Sequence, residues 1–182
     1  MTDNYELLLR EVTKQTCAFK THFLKQVKQW ALFNFLKLPD RIERANDEIK
    51  KIHEEYDQVH SLSSLDERLR AYSAVNKRSE KCYAEIRRCE RWINEGEDVY
   101  VSNCLSDAES LFDGKVEGLA HKLDTKGFIV NGLQFSKLED DPKLFNVLIS
   151  SGNKKVHARS ILAAEGSECM KAHFRFIITN AK

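Results

Sequence analysis

The chain has 182 residues, of which 42% are hydrophobic and 31% are charged, and its formal net charge is +1. This composition fits one globular domain or two small units with a buried core, and it excludes a disordered tail protein. The balanced charge excludes any argument from overall basicity to nucleic acid, so only the distribution of charge is informative.

Membrane and secreted proteins fit the sequence poorly. The longest apolar stretch, residues 30–38, is far shorter than the roughly 20 residues that span a bilayer. The first residues contain no basic segment followed by an apolar one, so we expect no secretory signal and a cytoplasmic protein. The five cysteines include no C-x-x-C pair, which indicates reduced thiols rather than a disulfide or zinc framework.

The N-terminal region, residues 1–125, is predicted to be helical. Over residues 4–38 no Gly or Pro occurs and apolar residues recur every three or four positions, which predicts one long amphipathic helix. Pro39 ends this helix, because its ring disfavours helical backbone at the preceding residue. A second helix, over about 40–60, has apolar residues in the unbroken spacing of a coiled-coil seam and should pack against an adjacent helix.

Two more helices are predicted before the end of this region. The third, over about 64–94, begins with Ser64 and Glu67 in a capping-box pattern and carries a similar near-heptad stripe. The fourth, over about 106–123, has a broad apolar face, although Gly114 and Gly118 each cost about 1 kcal/mol relative to Ala inside a helix.

The C-terminal lobe, residues 126–182, is predicted to be a sheet because the apolar period falls to two and β-branched and aromatic residues concentrate there. Turn residues at 140–142 and 151–153 separate the first strands, and the second turn is short enough for a hairpin. We predict an α+β fold in which a bundle of long, coiled-coil-like helices precedes a four-stranded antiparallel meander. The predicted strands lie near 128–136, 144–150, 154–162 and 172–179.

Two of these strands carry the same His-x-Arg pattern, at His157 and Arg159 and at His173 and Arg175. Residues two apart on a strand share a face, so each pair should lie opposite the apolar face of the sheet. If both strands bury their apolar face, odd-numbered residues must pair with odd-numbered ones. The register that best groups the cations pairs His157 with Arg175 and Arg159 with His173.

Guanidinium and imidazole groups on one surface suit an anion such as a phosphate, a carboxylate or a negatively charged partner. The alternative is an internal role, in which these groups pair with acids of the segment 95–125 and dock the sheet onto a helix. That segment has eight acidic and two basic residues, whereas residues 143–182 have seven basic and two acidic ones. The candidate partners in the acidic segment are Asp107, Glu109, Asp113 and Glu117.

Catalysis and metal binding have weaker support in the sequence. In two-histidine phosphoesterases each His is followed two residues later by Ser or Thr, whereas Arg stands in both places here. Two cations beside the imidazoles also oppose a metal, and no third ligand is evident. We therefore predict no catalytic residue, no metal site and no cofactor, and an enzyme is the less favoured class.

A second candidate surface is a basic ridge on the third helix, formed by Lys77, Lys81, Arg88 and Arg91. Residues 68–91 contain eight basic and three acidic residues, so the ridge could follow a phosphate backbone. The alternative is an ordinary solvated face with interleaved glutamates at 80, 85 and 90.

The last strands also show a resemblance. The segments Val156-His-Ala-Arg-Ser-Ile-Leu and Ala172-His-Phe-Arg-Phe-Ile-Ile resemble the terminal hairpin of small accessory proteins carried by bacterial phages and mobile elements. The resemblance covers residues 156–178 only. It implies a protein that binds and blocks or modifies a host machine, as inhibitors of CRISPR nucleases do, rather than a metabolic enzyme.

Three functions follow from the sequence. The leading hypothesis is a non-enzymatic protein that binds nucleic acid or a nucleic-acid-bound protein, such as a phage-encoded, anti-CRISPR-like inhibitor of a host defence nuclease. The second is a histidine-dependent phosphodiesterase or nucleotide-sequestering protein that uses His157 and His173. The third is a structural oligomer held together by the helical seams, and we expect no membrane partner in any of the three.

Overall fold

A computed structural model describes residues 3–164 and 172–182. Helices occupy the first part of the chain and an antiparallel sheet the last, so the predicted α+β class and the four-stranded meander are confirmed. The elements are α1 (Asn4–Gln15), α2 (Cys17–Leu36), α3 (Leu38–Val59), α4 (Leu65–Glu95), α5 (Glu97–Thr125), β1 (Gln134–Lys137), β2 (Asn146–Ser151), β3 (Lys154–Ala164) and β4 (Ala172–Asn180).

The long first helix of the prediction is wrong, because α1 ends and α2 begins on either side of Thr16. The hydroxyl of this buried residue donates to the carbonyl of Val12 at 2.9 Å, and its backbone N–H donates to the same carbonyl at 3.0 Å. Such a side-chain bond to the preceding turn bends helices. Pro39 lies in the first turn of α3, where its missing N–H costs no helical bond.

The predicted start of the fourth helix is also wrong, since α5 begins at Glu97, nine residues before Ser106. Gly96 separates α4 from α5 with a φ of +98°, and its N–H closes α4 on the carbonyl of Trp92. Glu97 and Asp98 follow in the first turn of α5, where a negative charge interacts favourably with the helix dipole and stabilises the helix. The predicted capping box of α4 does not form, because the Ser64 side chain makes no cap hydrogen bond.

The end of α5 explains why β1 is shorter than predicted. The Gly127 N–H donates to the carbonyl of Asp124 and the Phe128 N–H to that of Leu123, a Schellman motif with Gly127 at a φ of +76°. Leu123 and Phe128 are both buried, and Lys154 donates to the Gly127 carbonyl at 3.0 Å. Residues 127 and 128 therefore form the helix cap and cannot join a strand, and β1 begins only at Gln134.

Two compact units make up the chain. Unit 1 contains Met1–Ala31 and Ser102–Lys182, and unit 2 contains Leu32–Val101. The predicted division at residue 125 separates the helices from the strands along the sequence. The compact units follow a different division, because unit 1 contains the sheet together with the helical segments that precede and follow unit 2 in the chain.

Aromatic rings dominate the core of unit 1. Phe174 of β4 is buried and its ring centre lies 4.7 Å from that of Phe112 and 4.9 Å from that of Phe23. Phe19 contacts the same ring at 5.3 Å. One face of the sheet therefore packs against α2 and α5, and this contact positions the opposite face away from those helices.

Unit 2 contains the hairpin of α3 and α4. Arg78 donates to Glu48 and Glu55 at 2.5 Å each, which raises the pKa of Arg78. Half-buried Glu85 bonds Arg41 and Arg88. Burial raises the pKa of Glu85. The hydrogen bonds and charges of the two arginines lower it by more than burial raises it, so the pKa of Glu85 lies below its usual value.

The predicted seam of α3 faces α4. Its apolar positions are mostly buried, with Tyr56 exposed, and Cys89 on α4 is buried among them as a free thiol. Burial raises the pKa of the Cys89 thiol. The buried positions of the predicted seam are Ala45, Ile49, Ile52 and Val59.

Candidate anion-binding face of the sheet

The face of the sheet that turns away from the helices carries the predicted cations. On β3, Val156, Ala158 and Ser160 are buried, so the residues between them point to the other side. On β4, Phe174 and Phe176 are buried in the same way. We call the opposite surface the outer sheet face; its described side chains are Gln134, Ser136, Asn146, Leu148, Ser150, Lys155, His157, Arg159, Arg175, Ile177 and Thr179.

The predicted register between β3 and β4 is wrong, although its odd-to-odd rule holds. His157 pairs with Thr179 and Arg159 with Ile177. Arg175 pairs with Ile161, and His173 pairs with Ala163. The backbone of His173 belongs to β4, but its side chain lies outside the described part of the chain. The shift spreads the cations along the sheet instead of placing them side by side.

The register separates the histidines and keeps the arginines together. Arg159 and Arg175 are diagonal neighbours, which in antiparallel sheets lie roughly 7–8 Å apart. His157 lies six positions along β3 from the partner of His173, or about 20 Å at the usual rise of a strand. The two backbone positions are too far apart for both imidazoles to act on one phosphate.

Lys155 belongs to the same surface, although it is not among the residues predicted from the sequence. It is exposed, and it lies on β3 four positions before Arg159, a distance of about 13 Å. The sequence could have indicated this, because Lys155 lies two residues before His157 and therefore on the same face of the strand as His157 and Arg159. Arg159 and Arg175 are also exposed, and His157 is half-buried.

None of these cations is neutralised by an acid in the described part of the chain. Lys155, Arg159 and Arg175 make no ion pair or hydrogen bond through their side chains to a described residue. No acidic side chain occurs on the described outer sheet face. Some cations elsewhere are paired, since Lys20, Arg41 and Arg78 each bind a carboxylate.

The acids of α5 that the sequence offers as partners for the sheet cations form no ion pair with Arg159 or Arg175. Glu109 and Asp113 of α5 bind Lys20 of α2, at 3.1 and 2.9 Å. Hydrogen bonding to Asp113 raises the pKa of Lys20. Asp107 and Glu117 form no ion pair with a described residue. The sheet is therefore docked on the helices by aromatic packing, and the expected salt bridges to Arg159 and Arg175 are absent from the described residues.

The basic ridge of α4 is only partly available. Arg88 binds Glu85, and Arg91 lies 3.7 Å from Glu95 with its guanidinium 5.0 Å from the Trp92 ring centre. Lys77 and Lys81 are exposed and form no pair with a described residue. Arg70, about two turns before Lys77 on the same stripe, is also exposed and unpaired among these residues. Glu85 and Glu95 thus pair with the two arginines in the C-terminal half of the ridge.

A small cleft of about 90 Å³ lies on the other side of the sheet from the outer face. Phe19, Phe145 and Val147 line it together with the acidic loop 139–141, and His157 does not contribute. Within residues 3–164 and 172–182, no cluster of three or more His, Cys, Asp or Glu could hold a metal ion. The described helices include none that is long and apolar enough to cross a bilayer.

No protein-family model, curated protein or solved structure matches this chain. The resemblance of residues 156–178 to phage accessory proteins stays a prediction. The outer sheet face is therefore the feature on which a proposal about the ligand rests.

Proposed function

We propose that this chain is a non-enzymatic nucleic-acid-binding protein whose outer sheet face contacts the phosphate backbone. The observation that carries this proposal is the group of three exposed cations, Lys155, Arg159 and Arg175, on a face without a described acid. Because like charges repel one another in the free protein, a bound polyanion is the partner that such a face favours.

The other side chains of this face suit the same ligand. Arginine offers a planar fork of donors to phosphate oxygens, and lysine offers a mobile point charge. Hydroxyl and amide side chains, which also bond phosphate and sugar oxygens, surround the cations at Ser136, Asn146, Ser150 and Thr179. No Phe, Tyr or Trp occurs among the described outer side chains, so base stacking has no aromatic platform here. The chemistry favours binding through the backbone, without base-specific readout.

The phosphodiesterase hypothesis receives no comparable support. It needs two imidazoles around one phosphate in a concave site, whereas the register places positions 157 and 173 about 20 Å apart. The described cleft lies on the opposite side of the sheet. Binding is therefore the function that the geometry favours over turnover.

The salt dependence of binding tests the proposal. Fluorescence anisotropy with a labelled duplex should show affinity falling about 40-fold between about 50 and 200 mM salt, since three phosphate contacts give a slope of about −2.7. Arg159→Ala with Arg175→Ala should leave one contact and a fall of about 3.5-fold over the same range. Lys25→Ala with Lys28→Ala is the matched control, because it removes from α2 two exposed charges that have no partner among the described residues.

The controls separate a specific face from general attraction. Equal salt slopes for the sheet variant and the α2 variant would contradict a role for the outer sheet face. No binding to duplex or single strands at low salt would contradict the function itself. The finer prediction, an inhibitor of a host defence nuclease, is tested by pull-down from bacterial lysate with and without nuclease treatment. Capture that survives the nuclease would favour a protein partner instead.

A further inference from the structure

We propose that α4 of unit 2 pairs with α4 of a second copy of this chain in an antiparallel arrangement, and that the protein is a homodimer. This inference is independent of the sheet. Its basis is a second apolar seam on α4, which adjoins the seam that faces α3 and shares Tyr72 with it, together with a charge pattern beside it that is self-complementary when the helix is reversed.

The second seam follows a strict alternation of four- and three-residue steps along the whole helix. Six of its nine positions are apolar, and such a heptad pattern is typical of helices that pack against another helix. The nine positions are Leu65, Leu69, Tyr72, Asn76, Ser79, Tyr83, Ile86, Glu90 and Ile93.

Four of these side chains are exposed although they are large and apolar. The exposed fractions are 65% for Leu65, 58% for Leu69, 44% for Tyr83 and 38% for Ile93. The hairpin partner α3 instead covers the adjacent stripe of α4, where Val75 and Cys89 are buried. A single exposed leucine needs no explanation, but four apolar side chains on one heptad seam indicate a surface that another helix covers.

The polar positions of the seam select the orientation of that helix. When a second α4 runs antiparallel, Leu69 meets Ile86 of the second copy and Tyr72 meets Tyr83. Asn76 then meets Ser79 at both central layers, next to the two-fold axis, and Glu90 meets Leu65 at the two outermost layers. A polar pair at the centre of a coiled-coil seam fixes its register.

Charges beside the seam agree with the same alignment. Lys77 faces Glu80 of the second copy, and Asp66 faces Arg91. The two-fold axis repeats each pair, which gives four attractive contacts. One like-charge contact, between Arg70 and Arg87, also occurs twice. Lys77, Glu80 and Asp66 are exposed and unpaired among the described residues, so their charges are available to a partner, whereas Arg91 also lies 3.7 Å from Glu95 of its own helix.

Sedimentation equilibrium with charge variants tests this pairing. The wild-type chain should sediment as a dimer. Lys77→Glu and Glu80→Lys should each sediment as monomers, because each places like charges opposite one another in both symmetric pairs. An equimolar mixture of the two variants should form a heterodimer, since all four contacts then join opposite charges.

The mixture also excludes a folding effect as the explanation. Each variant carries the same repulsion between residues 77 and 80 of its own helix whether it is alone or mixed, so only contacts between copies can restore association. Leu65→Ser with Leu69→Ser should also yield monomers with an unchanged circular dichroism spectrum, whereas Leu36→Ser, a 71% exposed leucine on α2, should leave the dimer intact. A monomeric wild-type chain, dimeric single charge variants, or a mixture that stays monomeric would each overturn the proposal.

Discussion

The substitution Phe174→Ala removes the ring through which the sheet contacts α2 and α5 within unit 1. Phe174 is 1% exposed, and its ring lies within 5.4 Å of the ring centres of Phe19, Phe23, Phe112 and Phe176. Truncation of a buried phenylalanine costs about 3–5 kcal/mol, and ring pairs add about 0.5–1.5 kcal/mol beyond area burial. We expect a loss of about 4 kcal/mol or more in the free energy of unfolding, a large share of a typical domain's stability of about 5–15 kcal/mol.

Urea unfolding followed by far-ultraviolet circular dichroism measures this loss. Phe174→Leu keeps most of the apolar volume but loses the ring pairs, so it should cost about 1.5 kcal/mol. Arg175→Ala, at the neighbouring exposed position, should change stability by no more than about 0.5 kcal/mol. If Phe174→Ala cost less than about 2 kcal/mol, or if Arg175→Ala cost as much, aromatic packing would not be what holds the sheet on the helices.

Two further predictions concern helix ends and buried charge. Glu85→Gln should lower the urea midpoint at neutral pH, because the pKa of Glu85 in the folded state is lowered by Arg41 and the carboxylate stabilises the fold only while ionised. That difference from wild type should shrink as the pH falls below about 4.3, the value of an unfolded glutamate; a constant difference down to pH 2 or so would contradict it. Gly127→Ala should cost about 1 kcal/mol or more in the same assay, since its φ is +76°, whereas Gly114→Ala, with open space around its Cβ on α5, should gain up to about 1 kcal/mol.

The sequence predicts the fold class because hydrophobic period is a local signal. The change from a period near 3.6 to a period of two marks the end of the helical region, and the structure has Thr125 as the last helical residue before the strands. The break at Thr16 was not predictable in this way. Threonine has only a slightly lower helix propensity than its neighbours, and the break depends on a hydroxyl bond within one buried turn.

The faces of the strands could be predicted, but their register could not. Parity places Arg159 and Arg175 on one surface, and this holds in the structure. The alternation of side chains along a strand is kept, however, when one strand is shifted past the other by any even number of residues. The observed register pairs Ala164 with Ala172, a choice that no local pattern specifies. Pairing of charges is likewise a property of the folded chain, because Lys20 competes for the acids of α5 only when α2 lies beside them.

The discontinuous composition of unit 1 has a consequence for biosynthesis. Its core joins Phe19 near the start of the chain to Phe174 near the end, whereas the hairpin of α3 and α4 is built from one continuous stretch. During translation the hairpin can form as soon as α4 has left the ribosome, and its contacts are local, which favours fast folding. The α2 side chains that contact β4 lack that part of their packing until the final strand is released, although α5 can cover them in part earlier. We therefore expect truncated or stalled nascent chains to expose the N-terminal phenylalanines and to depend on chaperones that bind them.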